Sequence, residues 1–508
     1  MQSNANLYAS FQNIFLQQLD KVALTTTTDI TYTYSELDQE SARLAGFLSS
    51  LGLQSGDRIS IQVQKSPQAL CLYLACLRGG FVFHPLNTGY RENELEYFLS
   101  DAEPGAIICD DSAKDVMQRL ADKLGINNLL ILNADGTGSL INNSRDTSDE
   151  FEIVSRESDD MAALLYSSGT TGVPKGIMLT HENLLHNAES LVQYWGFTSD
   201  DVLFHALPIF HVHGLFVALG CVFLSGASMR WASAYDAKQT VKYLPECTAM
   251  MGVPTYYTRL LALPEFNKKV TANIRVFISG SAPLLAETFV QFEERTGHRI
   301  LERYGMTETN MNTSNPLQGE RKPGTVGLPL PGVEVRIVND MGNNLETDEI
   351  GNLQVRGKNV FKAYWKMPEK TAEDFTDDNF FNTGDKGQID SDGYVAIVGR
   401  AKDMVISGGL NVYPKEVELV IDDIEGVLES AVIGVPHPDF GEAVVAIVIA
   451  SDESCPQEDG LIEMLKEQLA SFKLPKRVMI LDELPRNTMG KVQKNVLRDQ
   501  FTDLFESK

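Results

Sequence analysis

The chain has 508 residues, 43% of them hydrophobic and 22% charged, the proportions of a folded globular protein rather than of a disordered, collagenous or coiled-coil one. That length exceeds what a single hydrophobic core sustains, so at least two domains are expected. With 43 basic against 69 acidic residues the formal net charge is −26, which repels a phosphate backbone and excludes nucleic acid as a partner.

The first twenty residues carry no Lys or Arg and no long apolar run, so neither a secretory signal nor an Arg-rich transit peptide is read there. From Ser41 a helical stretch to Leu51 is followed by the strand-like "RISIQVQ" from Arg58, an apolar helix around Leu70 to Leu77, and "GGFVFHPL" from Gly79. Helices between short apolar strands predict parallel α/β layers. Val202 to Ser228 contains no Asp, Glu, Lys or Arg and is long enough to span a bilayer. Pro208, His205, His211, His213, Gly214 and Gly220 interrupt it, so a buried helix lining a pocket is expected and no stable membrane association. "ANIRVFISGSAPL" (Ala272 to Leu284) continues the α/β pattern, with a helix to about Thr296.

After about Ile337, Asn/Asp/Gly turns between alternating strands predict antiparallel β structure. The last hundred residues restart with a strand pair in "ESAVIGVPHPDFGEAVVAIVIA" and a helix near Leu461 to Leu469, as a small α+β domain does. The boundary is placed near Arg400, giving a domain over 1–399 and a second over 400–508. Six scattered cysteines (Cys71, Cys76, Cys109, Cys221, Cys247, Cys455) lack zinc or redox spacing, so reduced thiols are expected. The terminal Glu506-Ser507-Lys508 is one Leu short of a peroxisomal address, and a cytoplasmic location is the expectation.

One stretch is built for anions. "SSGTTGVPKG", Ser167 to Gly176, lies between the strand-like "MAALLY" and "GIMLT", with Thr180 as N-cap of a helix from His181. It is not a Walker A loop, since Lys175 is followed by Gly176 and a strand rather than Ser/Thr and a helix. Its parts still suit phosphate: Gly169 and its fellow glycines let backbone N–H groups converge, Ser167, Ser168, Thr170 and Thr171 offer hydroxyls, and Lys175 is a point charge. The alternative is a plain hairpin turn.

With "YGMTET" (Tyr304 to Thr309), "TGD" (Thr383 to Asp385), "GRAKDMVISGG" (Gly399 to Gly409) and "PRNTMGKVQK" (Pro485 to Lys494), the loop resembles the adenylate-forming acyl-CoA synthetase superfamily, in order and spacing, over nearly the whole chain. Within it, "HALPIFHVHGLF", "MGVPTYYTRLL", "ISGSAPLLAET" and "LERYGMTETNMNTSNP" are most similar to the malonyl-CoA synthetases. The resemblance implies ATP, Mg²⁺ and CoA as ligands, malonate as the acid, and no obligate protein partner. It implies that Thr170 and Glu308 hold Mg²⁺, Tyr304 packs on adenine, Asp385 accepts from the ribose hydroxyls, and Arg400 binds near ribose or phosphate. Gly280, Ser281, Ala282, Gly305 and Thr307 complete the implied ATP set. Lys491 then reaches the α-phosphate and the attacked carboxylate. Rotation about Lys402 brings Gly408 and Gly409 to the path of the CoA thiol. The alternatives are another short acid, such as methylmalonate, or transfer to a carrier-protein thiol.

The acid itself turns on two arginines. Arg259 has apolar residues on both sides and Arg303 directly precedes Tyr304; a buried guanidinium needs a carboxylate partner, which the second carboxylate of malonate would supply. The alternative is pairing with a neighbour such as Glu302, or snorkelling to solvent. His211, catalytic or pocket-wall by resemblance, and Ser279 and Met306 are placed along the same wall; His213 is left open, since two histidines two apart are no metal signature.

Overall fold

Alternating strands and helices build two large sheets, as the α/β pattern requires. The computed structural model describes residues 4–167, 174–400, 403–407, 410–437, 440–452, 454–469, 471, 473–487 and 490–505. Its first sheet has nine strands, ordered Leu328–Pro329, Asn310–Ser314, Leu301–Met306, Val276–Ser279, Ala249–Gly252, Val202–His205, Ser228–Trp231, Val22–Thr26 and Thr31–Thr33. The strands from Leu301–Met306 to Val22–Thr26 are parallel. The second sheet has seven, ordered Ala363–Tyr364, Gly176–Thr180, Met161–Tyr166, Val82–Pro85, Arg58–Gln62, Ala106–Cys109 and Leu129–Ile131. Its last five are parallel, whereas Gly176–Thr180 pairs antiparallel on both sides. Strands covered on both faces read as unbroken apolar runs, as in Ala106–Cys109, where every residue is buried.

The turn-rich region forms an antiparallel sheet of Val333–Val338, Gly351–Gly357, Phe381–Ile389 and Val395–Arg400. Beyond it, Leu410–Val412, Val405–Ser407, Gly441–Ala450, Val427–His437 and Arg477–Leu481 make a separate sheet, with its own cluster of Val417, Ile421, Val444, Leu461 and Leu465.

Three local expectations are corrected. The helix expected from Ser41 starts at Tyr34 and ends at Ser50. The cause is a capping box: Thr33 Oγ1 accepts from the Glu36 N–H at 3.2 Å and the Glu36 carboxylate accepts from the Thr33 N–H at 2.7 Å. The late helix runs Glu458–Lys466, with Glu458 and Asp459 in its first turn favouring that end. The uncharged stretch is not one helix: strand Val202–His205 is followed by a wide π-type turn, His213–Ala218, and helix Leu219–Ser225. Pro208 and Gly214 confine the helical part to its second half. No helix among the described residues is long and apolar enough to cross a membrane. Thr180 does cap His181–Trp195, accepting from the Asn183 N–H at 3.1 Å.

Helices Leu219–Ser225 and His181–Trp195 approach closely because Gly220 faces Ala188; a Cβ on Gly220 would lie 2.8 Å from the Ala188 Cβ. Gly220→Val is therefore expected to cost about 1–3 kcal/mol, read as a lower midpoint in thermal unfolding.

Candidate active site

The residues flanking the glycine-rich loop are clamped at its base. The Ser167 N–H donates to the Lys175 carbonyl at 3.0 Å, the Lys175 N–H donates back to Ser167 Oγ at 3.3 Å, and Tyr97 Oη donates to the Pro174 carbonyl at 2.7 Å. Ser168, Gly169, Thr170 and Thr171 lie outside the described residues, as do Lys402, Gly408 and Gly409. Lys175 closes the loop with its ammonium 3.1 Å from Tyr364 Oη.

The strand Leu301–Met306 pairs antiparallel with Asn310–Ser314, with an irregularity between Tyr304 and Gly305; Met306 and Thr307 lead into the turn that carries Glu308. The Phe361 N–H donates to the Glu308 carbonyl at 2.7 Å, and Asn359 Nδ2 donates to the Thr309 carbonyl at 2.7 Å, so the turn is held from outside the hairpin. The Glu308 side chain is only 6% exposed; burial raises its carboxyl, opposed by a backbone N–H and by the fields of Arg400 and Lys175. Tyr304 Oη donates to the Asp385 carboxylate. Arg400 pairs with the other oxygen of Asp385 at 2.8 Å and donates to the Thr383 carbonyl at 3.2 Å, because Asp385 and Arg400 stand opposite each other in neighbouring strands. Lys491 stands on a tight turn whose Asn487 Oδ1 accepts its backbone N–H at 2.9 Å, while Gly490 packs against Thr255. The residue is exposed. Desolvation lowers its ammonium below the ordinary lysine value, assisted by Arg400 and opposed by Asp385 and Asp403. Lys491 is thus close enough to Asp385 and Arg400 to feel their charges.

On the other side of the strand, Arg303 is 4% exposed, and its Nε and Nη2 find no hydrogen-bond partner among the described residues. Backbone makes room for it: a Cβ on Gly280 would lie 2.4 Å from Arg303 Cζ. Burial pushes the guanidinium down to about 9, so it stays charged at neutral pH. Ser279 Oγ, His211 Nε2 and His213 Nε2 are also buried without a partner among the described residues, each such orphan costing about 1–3 kcal/mol until a ligand meets it. Ser281 Oγ lies 3.4 Å from His213 Nδ1, and Ala282 follows it in the loop before helix Ala286–Thr296. Burial pushes His211 down to about 4; burial, then the field of Arg303, holds His213 well below its usual range. Neutral donors around a fixed cation, with no carboxylate partner among the described residues, form a receptor for an anion.

The AMP-binding enzyme family matches residues 11–365, and the AMP-binding enzyme C-terminal domain matches 416–491. The chain belongs to the AMP-binding enzyme family. Among its relatives, a malonate-CoA ligase of Arabidopsis thaliana is 37% identical over 495 residues, covering 91% of this chain and 80% of that protein. The ATP-bound crystal structure of MatB from Rhodopseudomonas palustris is 51% identical, covers 99% of this chain and 100% of that one, and superposes with a TM-score of 0.96. The apo structure of the same MatB, 50% identical with the same coverage, gives 0.85. The arrangement of this chain thus follows the ATP-bound neighbour more closely.

This AMP-binding enzyme takes ATP and CoA, with Mg²⁺ as cofactor. Glu308 fits the metal: it is a buried carboxylate without an ion-pair partner among the described residues, and no cluster of three or more His, Cys, Asp or Glu that could hold a metal is found among those residues. A lone carboxylate that shares its ion with triphosphate oxygens is the usual Mg²⁺ arrangement.

The burial premise does not hold for Arg259. It is exposed in the last turn of helix Pro254–Leu261, on the side of Thr255, where Gly490 packs. Glu302 is not the partner of Arg303 either. Strand alternation sends it to the opposite face, where it accepts from the backbone N–H groups of Leu284 and Gly324, and burial pushes its carboxyl up to about 8. Three further residues escaped the sequence reading. Lys65, buried, donates to His205 Nδ1 and to the His205 carbonyl, both at 2.8 Å, while His205 Nε2 bonds the Gly214 carbonyl at 2.9 Å and so anchors the turn bearing His211 and His213. Tyr364 and Asp374 meet Lys175. In the sequence these are a lysine before a helix and two residues of a polar loop, with no local signal of their partners.

Glu302 gives a pH signature. Its folded carboxyl is raised, so between the ordinary carboxyl range and about 8 the folded state binds the extra proton, and this group's contribution falls as pH rises through that window. Relative to wild type, Glu302→Gln should be more stable at pH 9 than at pH 6. Thermal midpoints at the two pH values test this, and an unchanged difference would mean the carboxyl is not buried as described.

Proposed function

We propose that the protein is an ATP-dependent malonate-CoA ligase. The observation that carries the acid is Arg303, a buried guanidinium with no carboxylate of its own. The name of the Arabidopsis relative supports the same acid. In this reading one carboxylate of malonate lies against Arg303 with Ser279 and the histidine wall of His211 and His213, and Met306 bounds the space. Its other carboxylate attacks the α-phosphorus of ATP; the bond to the bridging oxygen breaks and pyrophosphate leaves. Glu308 and Thr170 would hold Mg²⁺, which when bound would neutralise charge on the phosphates. Lys175, the loop hydroxyls and Lys491 supply the remaining cations and donors, so that catalysis is chiefly positioning and charge stabilisation. Tyr304, Asp385 and Arg400 hold the adenosine. The domain beyond Lys402 then turns, removing Lys491 and presenting Gly408 and Gly409; the CoA sulfur attacks the acyl carbon, AMP leaves, and the thiol proton passes to solvent.

A charge-assisted contact to the distal carboxylate is worth roughly 1.5–3 kcal/mol, about a ten- to hundredfold preference. In a pyrophosphate-release screen of C2 to C8 mono- and dicarboxylic acids, malonate should therefore lead and acetate should fall behind by that factor; a preference for monocarboxylates would sink the assignment. Gly280→Ala, which displaces only the far end of the Arg303 side chain, should fold and raise the KM for malonate by a similar factor.

Lys491 separates the half-reactions. Lys491→Ala should abolish adenylate formation and leave thioester formation from supplied malonyl-adenylate largely intact. Because its ammonium is lowered, charge is lost earlier than from a free lysine as pH rises. Adenylation in the wild type should therefore decline on the alkaline side below the ordinary lysine range of about 10.4, with no such decline in the thioester step. Equal loss of both steps, or coincident pH profiles, would remove Lys491 from this role.

A further inference from the structure

Lys175 is the only cation of the glycine-rich loop, and it already has a counter-ion. Its Nζ donates to Tyr364 Oη at 3.1 Å, lies 3.6 Å from Asp374 Oδ2, and sits 4.2 Å from the centre of the Tyr364 ring. The placement is imposed by backbone. Tyr364 pairs with Ile177, the Trp365 N–H donates to the Gly176 carbonyl at 2.7 Å, and Gly176 leaves room that a Cβ would fill, 2.9 Å from the Trp365 Cβ. Asp374 closes helix Pro368–Asp374, and its other oxygen lies 3.0 Å from Lys370 Nζ. Glu308, the carboxylate that fits Mg²⁺, feels the field of the same ammonium.

We propose that Asp374 is the resting counter-ion of Lys175: the triphosphate of ATP displaces it on arrival, and it reclaims the lysine as pyrophosphate leaves. At 3.6 Å the pair has charge attraction without a direct hydrogen bond, and each side chain keeps about a fifth of its exposure (19% and 20%). Such a contact is weak enough to exchange. The long, flexible stem of lysine lets the ammonium move while Ser167 and the strand Gly176–Thr180 hold its backbone. A triphosphate with Mg²⁺ outcompetes one carboxylate. Pyrophosphate, once cut from the nucleotide, is held against that same competitor. Asp374 thus weakens ATP and pyrophosphate alike and favours product release, a step that often limits turnover. Asp374 acts through Lys175 and is a positioning residue. Nothing in this depends on which acid is activated.

The test is direct binding to the full chain by calorimetric titration with MgATP, Mg-pyrophosphate and AMP, without acid. Asp374→Asn should bind MgATP and Mg-pyrophosphate about threefold to fivefold tighter. AMP, which lacks the β- and γ-phosphates, should bind as in wild type and so report an intact fold. Asp374→Glu keeps the charge and should stay near wild type, and in a Lys175→Met background the gain should vanish. Damage to structure alone would weaken all three ligands. Unchanged or weaker pyrophosphate binding in Asp374→Asn, an equal gain for AMP, or a gain that persists without Lys175 overturns the proposal. Should Asp374→Asn fail to fold, Lys370→Met reads the same contact with opposite sign. Freed of its second cation, Asp374 holds Lys175 harder and Mg-pyrophosphate binds more weakly, an effect that must disappear in Lys175→Met.

Discussion

A guanidinium buried without a carboxylate partner among the described residues is the constraint around which this site is arranged. Arg303 cannot retreat to solvent from the strand Leu301–Met306, and the missing side chain of Gly280 is the space its head occupies. Burial lowers His205, His211 and His213, and the field of Arg303 adds to this at His213. At neutral pH the guanidinium therefore keeps its charge beside uncharged imidazoles. In the function proposed above, a monocarboxylate that uses its only carboxylate for chemistry would leave that charge unpaired, so discrimination against it would come from the protein's own uncompensated group rather than from a lack of room.

The same strand carries the nucleotide side. Arg303 and Tyr304 are consecutive and project to opposite faces, one toward the orphaned donors and the other onto Asp385 and, through it, Arg400. In the function proposed above, the acid and the adenosine would both be referenced to this one rigid element, one residue apart. The attacked α-phosphorus and the attacking oxygen would then gain their alignment from a strand instead of two loops, which is where positioning is most exact and least costly in entropy.

An acidic chain that binds three anionic ligands must rely on short-range fields, since screening confines charge effects to about 8–10 Å at ordinary salt. Its site cations are kept in different states of readiness. Arg303 has no partner for its Nε and Nη2 among the described residues, Arg400 is paired with Asp385, and Lys175 lies 3.6 Å from Asp374. In the function proposed above each state would suit its ligand: a receptor charge for the acid, a rigid bracket for the sugar, and a movable charge for phosphates that arrive as one group and leave as another.

What was legible in the sequence is what chemistry demands at short spacing. The α/β alternation, the strands on either side of the glycine-rich loop and the cap at Thr180 are local patterns, and they can be read from one chain. Contacts across sheets are different: Lys65 with His205 and Lys175 with Asp374 depend on strand order, for which neighbouring letters hold no record. The two arginines show why adjacency misleads. Arg259 and Arg303 both stand beside apolar residues, but a helix turns each successive residue by a large angle, so buried Leu260 leaves Arg259 facing water. A strand in a covered sheet offers no such escape, and Arg303 is enclosed on either face. An arginine among apolar neighbours speaks for a ligand only when its element denies it solvent, and for the acid of this enzyme that condition is met by Arg303 alone of the two.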